Sequence, residues 1–387
     1  MDDLHETIAI DYRFRGLSGA PHPKHGTEVQ EKVAHPLANV PEGKLGSLNA
    51  LQALFKNDAR PHKADLMCGV YQTQEGNPYV LLSVKLARQM LFDDQEWEHE
   101  YPASHLGEAP FRDMSARLLF GETSQTIRGK RQATIFPSIH AFDFNGLNES
   151  LTRIPPQSIV VLQVCGNNPT GCDPSAEEWQ RLAQTFQAKQ HFAFLDLSYP
   201  GFVSGSVAED CAPIRLIAEA GTPFLLAATY GKAFGLYGER VGHLCVPLPT
   251  AQAAARAEQQ MKLLAREETG AQPRFGARLV ANILGNPRLR MVWEEDLRGL
   301  AQDLAGRREA LKRELLKQNV PGDWSFVTSQ AGMFLYTSFD LEQVKYLREE
   351  HAVYLQDTGR LSIAGLNARN TAHVAESIGK AVGRQRH

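Results

Sequence analysis

The chain has 387 residues, of which 43% are hydrophobic, enough for about two domains with buried cores. Its 41 basic and 44 acidic residues leave a net charge of -3, which disfavours binding to nucleic acid or to anionic lipid. The five cysteines are scattered without a CxxC pair, which argues against a disulfide framework or a structural zinc site and favours a reducing compartment. No apolar stretch approaches the roughly 20 residues that span a bilayer. The sequence therefore predicts a cytoplasmic globular protein with neither a membrane nor a nucleic-acid partner.

The first forty residues differ in character from the rest. They carry more acidic than basic side chains, and several glycines and prolines interrupt any periodicity. A targeting peptide would be poor in acidic residues or would contain an uninterrupted apolar core. We therefore predict an irregular N-terminal arm over residues 1–40, either disordered or lying on a partner subunit.

From Ser158 onward, short apolar runs alternate with helical patterns, which is typical of successive βαβ units. The runs SIVVLQVC, HFAFLD and FLLAAT predict strands. Between the first two, Ser175 and Glu178 have capping-box spacing at the start of a helix over EEWQRLAQTF, and a further helix is predicted over residues 251–264. The middle of the chain is thus predicted to be an α/β domain, with a mostly parallel sheet covered by helices.

Leucines at helical spacing from Leu289 to Leu315 predict a helix of about thirty residues, which could bridge two domains. After it, strands and helices alternate in the manner of a smaller α+β domain. We place a large domain at residues 79–299 and a small domain at residues 41–78 and 300–387.

Polar residues stand at the ends of the three predicted strands. They are Asn168 in CGNNPTG, Asp196 and Tyr199 in LDLSYPGF, and Lys232 in TYGKAFGLYGERVG. Each residue alone has an ordinary explanation. Asn168 could be a turn former and Asp196 a strand-end cap, while Tyr199 could be a core residue and Lys232 a solvated amine. Ligands of open α/β sheets bind at such strand ends, so the four together predict a functional site.

In these blocks the chain resembles the aspartate aminotransferase family, the class I aminotransferases of fold type I that use pyridoxal 5'-phosphate. The resemblance runs from about Asn39 to the C-terminus, and its most specific blocks are NNPTGCDPSAEEW, FLDLSYPGF, KAFGLYGERVG, QAGMFLYTSFDLEQVKYLREEHAVYL and GRLSIAGLN. It implies a homodimeric enzyme that transfers an amino group between an amino acid, aspartate/glutamate-like or aromatic, and a 2-oxo acid by a ping-pong mechanism. A lyase or decarboxylase on the same scaffold is the alternative within this family of folds.

The resemblance assigns three catalytic residues. It implies that Lys232 holds the cofactor as a Schiff base and moves the proton at the substrate α-carbon. Asp196 would pair with the pyridine nitrogen and keep it protonated. Tyr199 and Asn168 would bind the phenolic oxygen of the cofactor, and Asn168 is also expected beside the substrate.

Further ligands follow from the same resemblance. Thr229 and Arg240 match phosphate ligands. Arg360 matches the arginine that binds the substrate α-carboxylate with two parallel hydrogen bonds. Gly69, in CGVYQT, matches a backbone position that closes over the substrate.

Two more correspondences involve the neighbouring subunit of the family's dimer. Tyr101 resembles the tyrosine that reaches the cofactor phosphate across the interface. Arg266 falls where the family has the arginine that selects a second carboxylate, but the residues after it differ, and Glu267 and Glu268 add negative charge. A solvated arginine at a helix end is the alternative for Arg266, so dicarboxylate specificity stays open.

The chain departs from the family pattern between Arg131 and Phe144. The family has there a small-residue loop that binds phosphate at a helix N-terminus, that helix, a strand, and an aromatic residue that stacks on the pyridine ring. Their loss would leave the large-domain sheet incomplete and remove part of the phosphate site. The sequence is compatible with a working enzyme whose phosphate site is rearranged, with a catalytically impaired pseudoenzyme that serves as a structural or regulatory partner, or with a truncated product.

Overall fold

The computed structural model describes residues 47–122 and 143–384. We number the helices of these residues α1 to α13: Ser47–Asn57, Leu82–Asp93, Ala109–Phe120, Phe144–Arg153, Ala176–Lys189, Val207–Asp210, Ala212–Glu219, Ala251–Thr269, Phe275–Gly285, Pro287–Lys317, Phe326–Ser329, Leu341–His351 and Thr371–Gly383. The strands, β1 to β8, are Ala64–Asp65, Ile159–Gln163, Phe192–Leu197, Phe224–Thr229, Gly242–Cys245, Phe334–Tyr336, Val353–Tyr354 and Arg360–Ser362. A short 3-10 helix follows β8 at Ile363–Gly365.

Four strands form the largest described sheet, in the order β2, β3, β4, β5. The first three are parallel, as the sequence predicts, and β5 pairs with β4 in the antiparallel direction. Strand β5 was not predicted, because its four residues include a glycine and a histidine and lack a clear alternation. Since β2, β3 and β4 are parallel, their carboxyl ends lie along one edge of the sheet.

Helix α5, between β2 and β3, forms where the sequence predicts it, whereas α6 and α7, between β3 and β4, were not predicted. Helix α5 begins with a capping box, in which the Ser175 hydroxyl accepts from the Glu178 amide and the Glu178 carboxylate accepts from the Ser175 amide. Its Trp179, Leu182 and Phe186 share one face and are buried. The helix therefore covers the sheet that carries the strand ends.

The long helix α10 spans 31 residues and buries leucines along its whole length, as its spacing predicts. Its Trp293 stacks on Phe234 with ring centroids 4.5 Å apart, and the indole N–H donates to the Ala233 carbonyl at 2.8 Å. Both contacts fall on the turn that follows β4. Helix α10 therefore fixes the segment that carries Lys232.

Two smaller sheets join distant parts of the chain. Strands β1 and β7 pair in parallel, and β6 and β8 pair in the antiparallel direction. The second pairing places Arg360, at the start of β8, opposite Tyr336. The domain boundaries stay a prediction.

Among the residues with described structure, no helix combines the length and apolarity needed to cross a bilayer. The predicted N-terminal arm at residues 1–40 lies outside the described residues. So does most of the segment between Arg131 and Phe144, where the sequence departs from the family pattern.

Candidate functional site

The structure brings the predicted strand-end residues to one edge of the large sheet. Asp196 is the fifth residue of β3, Asn168 lies in the turn after β2, and Lys232 lies in the turn after β4. Arg360 reaches them from β8 and donates from Nη1 to the Asn168 side-chain oxygen at 2.8 Å. Residues 192 positions apart in the sequence therefore meet in a single site.

Lys232 is half-buried, and within residues 47–122 and 143–384 its amine makes one hydrogen bond. The Nζ atom donates to the Gly69 carbonyl oxygen at 2.5 Å and lies 4.6 Å from the centroid of the Tyr237 ring. Burial lowers the pKa of Lys232 to about 8, and the positive charges of Arg360 and Arg240 act in the same direction. A sizeable fraction of this amine is therefore neutral near pH 7 to 8, as a nucleophile or a proton acceptor requires.

Asp196 is a buried carboxylate, only 3% exposed. Its Oδ1 accepts from the Ser198 hydroxyl at 2.8 Å, and its Oδ2 accepts from the Gln163 amide nitrogen at 3.3 Å. Burial raises the pKa of Asp196 to about 6, and these two donors oppose the rise. Within residues 47–122 and 143–384, no arginine, lysine or histidine forms an ion pair with it. The carboxylate is therefore suited to a ligand that brings its own positive charge.

Tyr199 lies three positions beyond Asp196 in the sequence and is almost fully buried. Its ring meets that of Phe334 edge to face, with centroids 5.7 Å apart, and burial raises the pKa of its hydroxyl. Asn168 is held by its backbone N–H, which donates to the Gln163 side-chain oxygen at 2.6 Å. Tyr199 interacts electrostatically with both Asp196 and Arg360, and Asn168 is hydrogen-bonded to Arg360.

Arg360 is half-buried, and its hydrogen-bonding groups are only partly paired. Its Nη1 donates to Asn168 and its Nη2 to the Met67 carbonyl at 2.9 Å, while the guanidinium lies 4.1 Å from the centroid of the Phe334 ring. Its buried Nε has no hydrogen-bond partner in the described part of the chain. An unpaired buried N–H of a charged guanidinium group indicates a site for an anion such as a carboxylate.

Thr229 and Arg240 lie on either side of the Lys232 turn. The Thr229 hydroxyl accepts from the Gly231 amide at 3.3 Å, and the exposed Arg240 donates to the Tyr237 carbonyl at 3.2 Å. Arg240 contributes to the lowered pKa of Lys232, so its charge acts on the site.

Two predicted ligands do not reach the site within one chain. Tyr101 is 79% exposed, and Arg266 is exposed near the end of α8. In the described residues, no hydrogen bond or ion pair joins either side chain to Lys232, Asp196 or Arg360.

Sequence reasoning missed three residues that shape the site. Gln163 and Ser198 bind Asp196, and Phe334 supports both Arg360 and Tyr199. Gln163 could have been identified from the sequence, because it is the polar residue at the end of the apolar run IVVLQ. The sequence gives no indication of the role of Phe334, since an aromatic residue in a strand is ordinarily part of the core.

The chain is similar to known aminotransferases over most of its length. The family model "Aminotransferase class I and II" matches residues 137–378. A cytoplasmic aspartate aminotransferase of Oryza sativa subsp. japonica is 33% identical, with 89% of this chain and 97% of the relative aligned. A mitochondrial aspartate aminotransferase of Dictyostelium discoideum is 31% identical, with 88% of this chain and 92% of the relative aligned.

Solved structures show the same fold. An aspartate aminotransferase from Saccharomyces cerevisiae cytoplasm has a TM-score of 0.85 at 28% identity and covers 91% of this chain and 99% of its own. An aromatic-amino-acid aminotransferase from Burkholderia pseudomallei, covalently bound to pyridoxal phosphate, has a TM-score of 0.84 at 28% identity and covers 90% of this chain and 100% of its own.

The chain therefore belongs to the aminotransferase class I and II family. The predicted fold type I, the aminotransferase class, transamination and the pyridoxal phosphate cofactor are confirmed. The alignment with the rice relative runs over 399 positions, more than the 387 residues of the chain, although only 89% of the chain takes part. The relative therefore contains stretches without a counterpart in this chain.

The described residues fit pyridoxal phosphate. Asp196 is a buried carboxylate to which only neutral side chains donate, so it can pair with a protonated ring nitrogen. Lys232 has an amine of lowered pKa, as attachment to an aldehyde requires. The unpaired Nε of Arg360 leaves a donor for the carboxylate of an amino acid.

Proposed function

We propose that the chain catalyses transamination between an amino acid and a 2-oxo acid by a ping-pong mechanism, with Lys232, Asp196 and Tyr199 as its catalytic residues. The observation that carries this proposal is the meeting of Lys232, Asp196 and Arg360 at one edge of the sheet. The three groups supply an amine, a carboxylate for a cationic ring, and a cation for the substrate.

Pyridoxal phosphate, when bound, supplies a ring that withdraws electrons from the bonds of the substrate α-carbon. Asp196 would hold the ring nitrogen in its protonated form, because a buried carboxylate strongly favours an adjacent positive charge. Tyr199 and Asn168 would donate to the phenolic oxygen. Thr229 and Arg240 would bind the phosphate, together with Tyr101 of a second subunit.

Lys232 has two roles in this proposal. It holds the cofactor before the substrate arrives, and its free amine then takes the proton from the substrate α-carbon and returns a proton in the later half of the reaction. A base with a pKa of about 8 is well matched to this task near neutral pH. The Gly69 carbonyl accepts a hydrogen bond from the amine and so fixes its position.

Arg360 would bind the α-carboxylate of the amino acid and, in the second half-reaction, that of the 2-oxo acid. Both substrates use the same guanidinium, so they bind one after the other, as a ping-pong mechanism requires. We propose aspartate/glutamate-like or aromatic amino acids as donors, because the relatives are named for both kinds. Arg266 of a second subunit would distinguish between them.

We propose a homodimer, located in the cytosol. On α2, the apolar side chains Leu82, Leu86 and Met90 recur at helical spacing and are exposed. Helix α8, which carries Arg266, has no buried residue over its 19 positions. A second copy would cover these surfaces and bring Tyr101 and Arg266 to its neighbour's site. Light scattering of the purified chain tests the dimer.

The test of the function is an absorption spectrum of the purified chain during titration with pyridoxal phosphate and then with aspartate, glutamate and phenylalanine. We expect a band from the lysine-bound cofactor that is absent in Lys232→Ala and that fades with a donor amino acid. A parent chain without this band at saturating cofactor would overturn the proposal. The pseudoenzyme alternative, which the shortened segment favours, would then replace it.

A further inference from the structure

The side chain of Gln163 lies between two groups of the proposed site. It is the last residue of β2, is 8% exposed, and stands directly opposite Asp196 in the sheet. Its amide nitrogen donates to Asp196 Oδ2 at 3.3 Å, and its amide oxygen accepts from the Asn168 backbone N–H at 2.6 Å. Because a backbone N–H can only donate, the oxygen end of the amide must face Asn168. The opposite end, the NH₂ group, must then face the carboxylate.

Ser198 completes the surroundings of the carboxylate. Its hydroxyl donates to Asp196 Oδ1 at 2.8 Å, so each carboxylate oxygen accepts one bond from a neutral side chain. In the described part of the chain, the other titratable groups that interact with Asp196 are Tyr199 and Cys165. Burial raises the pKa of both, so both are neutral near pH 7. The negative charge of Asp196 is thus supported by hydrogen bonds and is not cancelled by a neighbour.

We propose that Gln163 and Ser198 are positioning residues, which hold Asp196 ionised and oriented toward the ring nitrogen of the cofactor. Neutral donors stabilise the charged form of a carboxylate while they leave its full charge for the ligand. An arginine or lysine in their place would compete with the protonated ring nitrogen. This inference rests on the proposed function, in which Asp196 binds that nitrogen.

Gln163 has a second effect that Ser198 lacks. Through the Asn168 backbone it fixes the loop whose side-chain oxygen accepts from Arg360 at 2.8 Å. Hydrogen bonds therefore connect Asp196, Gln163, Asn168 and Arg360, from the cofactor end of the site to the substrate end. Loss of Gln163 should disturb both ends, whereas loss of the Ser198 hydroxyl should disturb only the carboxylate.

The first experiment is an infrared titration of the Asp196 carboxyl group in the full-length chain without added cofactor, with Asp196→Asn to assign the signal. Removal of one donor to a buried carboxylate should raise its titration midpoint by about one pH unit, so we expect this shift in Ser198→Ala and in Gln163→Met. Ser198→Thr keeps the hydroxyl and should restore the parent midpoint. An unchanged midpoint in both Ser198→Ala and Gln163→Met would overturn the proposal.

The second experiment compares steady-state kinetics. Gln163→Met should raise the KM for the amino acid several-fold, and Ser198→Ala should leave it within about twofold of the parent. Equal KM values in the two variants would overturn the connection to Arg360. The infrared titration needs no bound cofactor. A parent chain that fails to bind pyridoxal phosphate would therefore contradict the proposed function only. The titration would still decide whether Gln163 and Ser198 hold Asp196 ionised.

Discussion

The amine of Lys232 donates to the carbonyl oxygen of Gly69 at 2.5 Å, although 163 positions separate the two residues in the chain. Gly69 is also packed tightly on its other side. A Cβ atom added there would lie 2.5 Å from Cζ of Phe334, and the same ring supports the guanidinium of Arg360 at 4.1 Å from its centroid. The position therefore accepts no side chain unless the support of Arg360 moves.

Gly69→Ala should lower kcat/KM by about tenfold or more. Either the Gly69 backbone, which accepts from Lys232, or the Phe334 ring, which supports Arg360, has to shift. Steady-state kinetics with saturating cofactor measure the change. Gly299→Ala is the matched control, since a Cβ atom at Gly299 meets nothing within 4 Å. If Gly69→Ala kept the parent kcat/KM, the close packing of Gly69 on Phe334 would have no bearing on catalysis.

Arg360→Lys should raise the KM for every amino acid substrate by about 10- to 100-fold. A lysine keeps the charge, but it cannot donate at once to Asn168, to Met67 and to a carboxylate in the fixed geometry of a guanidinium. Arg290 is a partly exposed arginine that pairs with Glu294, so Arg290→Lys serves as the control and should leave KM unchanged. Parent-like saturation of Arg360→Lys with all donors would count against the carboxylate role.

Most of the large sheet could be predicted from the sequence, because its strands are short apolar runs and its helices carry a clear apolar face. The capping box at Ser175 and the full length of α10 are examples. Strand β5 could not be predicted, because Gly242 and His243 have low strand propensity and its pairing with β4 is set by tertiary contacts.

The candidate site was predicted less completely. Lys232, Asp196 and Asn168 could be found because polar residues at strand ends are unusual. Phe334 could not, since nothing in a strand sequence shows that its ring packs against both a glycine and an arginine. The contributions of Tyr101 and Arg266 depend on a second subunit, so the fold of one chain does not display them.

A mixture of two inactive variants tests whether Tyr101 acts across a dimer interface. In a mixed dimer of Lys232→Ala and Tyr101→Ala, one of the two sites retains its own Lys232 and receives Tyr101 from the other subunit. After the subunits are exchanged, about half of the dimers are mixed, so we expect roughly a quarter of the parent activity.

The control is a mixture of Lys232→Ala with Asp196→Asn, whose residues belong to the same subunit's site. Its mixed dimers contain no intact site, so activity should not return. Recovery in the control, or none in the Tyr101→Ala mixture, would contradict the proposed arrangement of the dimer.

Asp196→Asn should stabilise the cofactor-free chain above pH 6. Burial raises the pKa of Asp196 from 3.8 to about 6, so the folded state binds its proton more tightly than the unfolded state does. The Asp196 carboxyl group therefore does not reduce the free energy of unfolding below about pH 4. Above that pH it reduces the free energy of unfolding progressively, and the reduction levels off once the pH has passed 6. A shift of roughly two pKa units corresponds to at most about 3 kcal/mol.

Urea unfolding at several pH values between 5 and 8 measures this effect. The free energy of unfolding of Asp196→Asn should exceed that of the parent by an amount that increases from pH 5 to pH 7 and is then constant. A difference that does not depend on pH would show that the substitution acts through packing and not through the charge. The expected pattern would mean that the fold retains a destabilising buried carboxylate at the end of β3. Such a group is expected at a site that binds a cationic ligand.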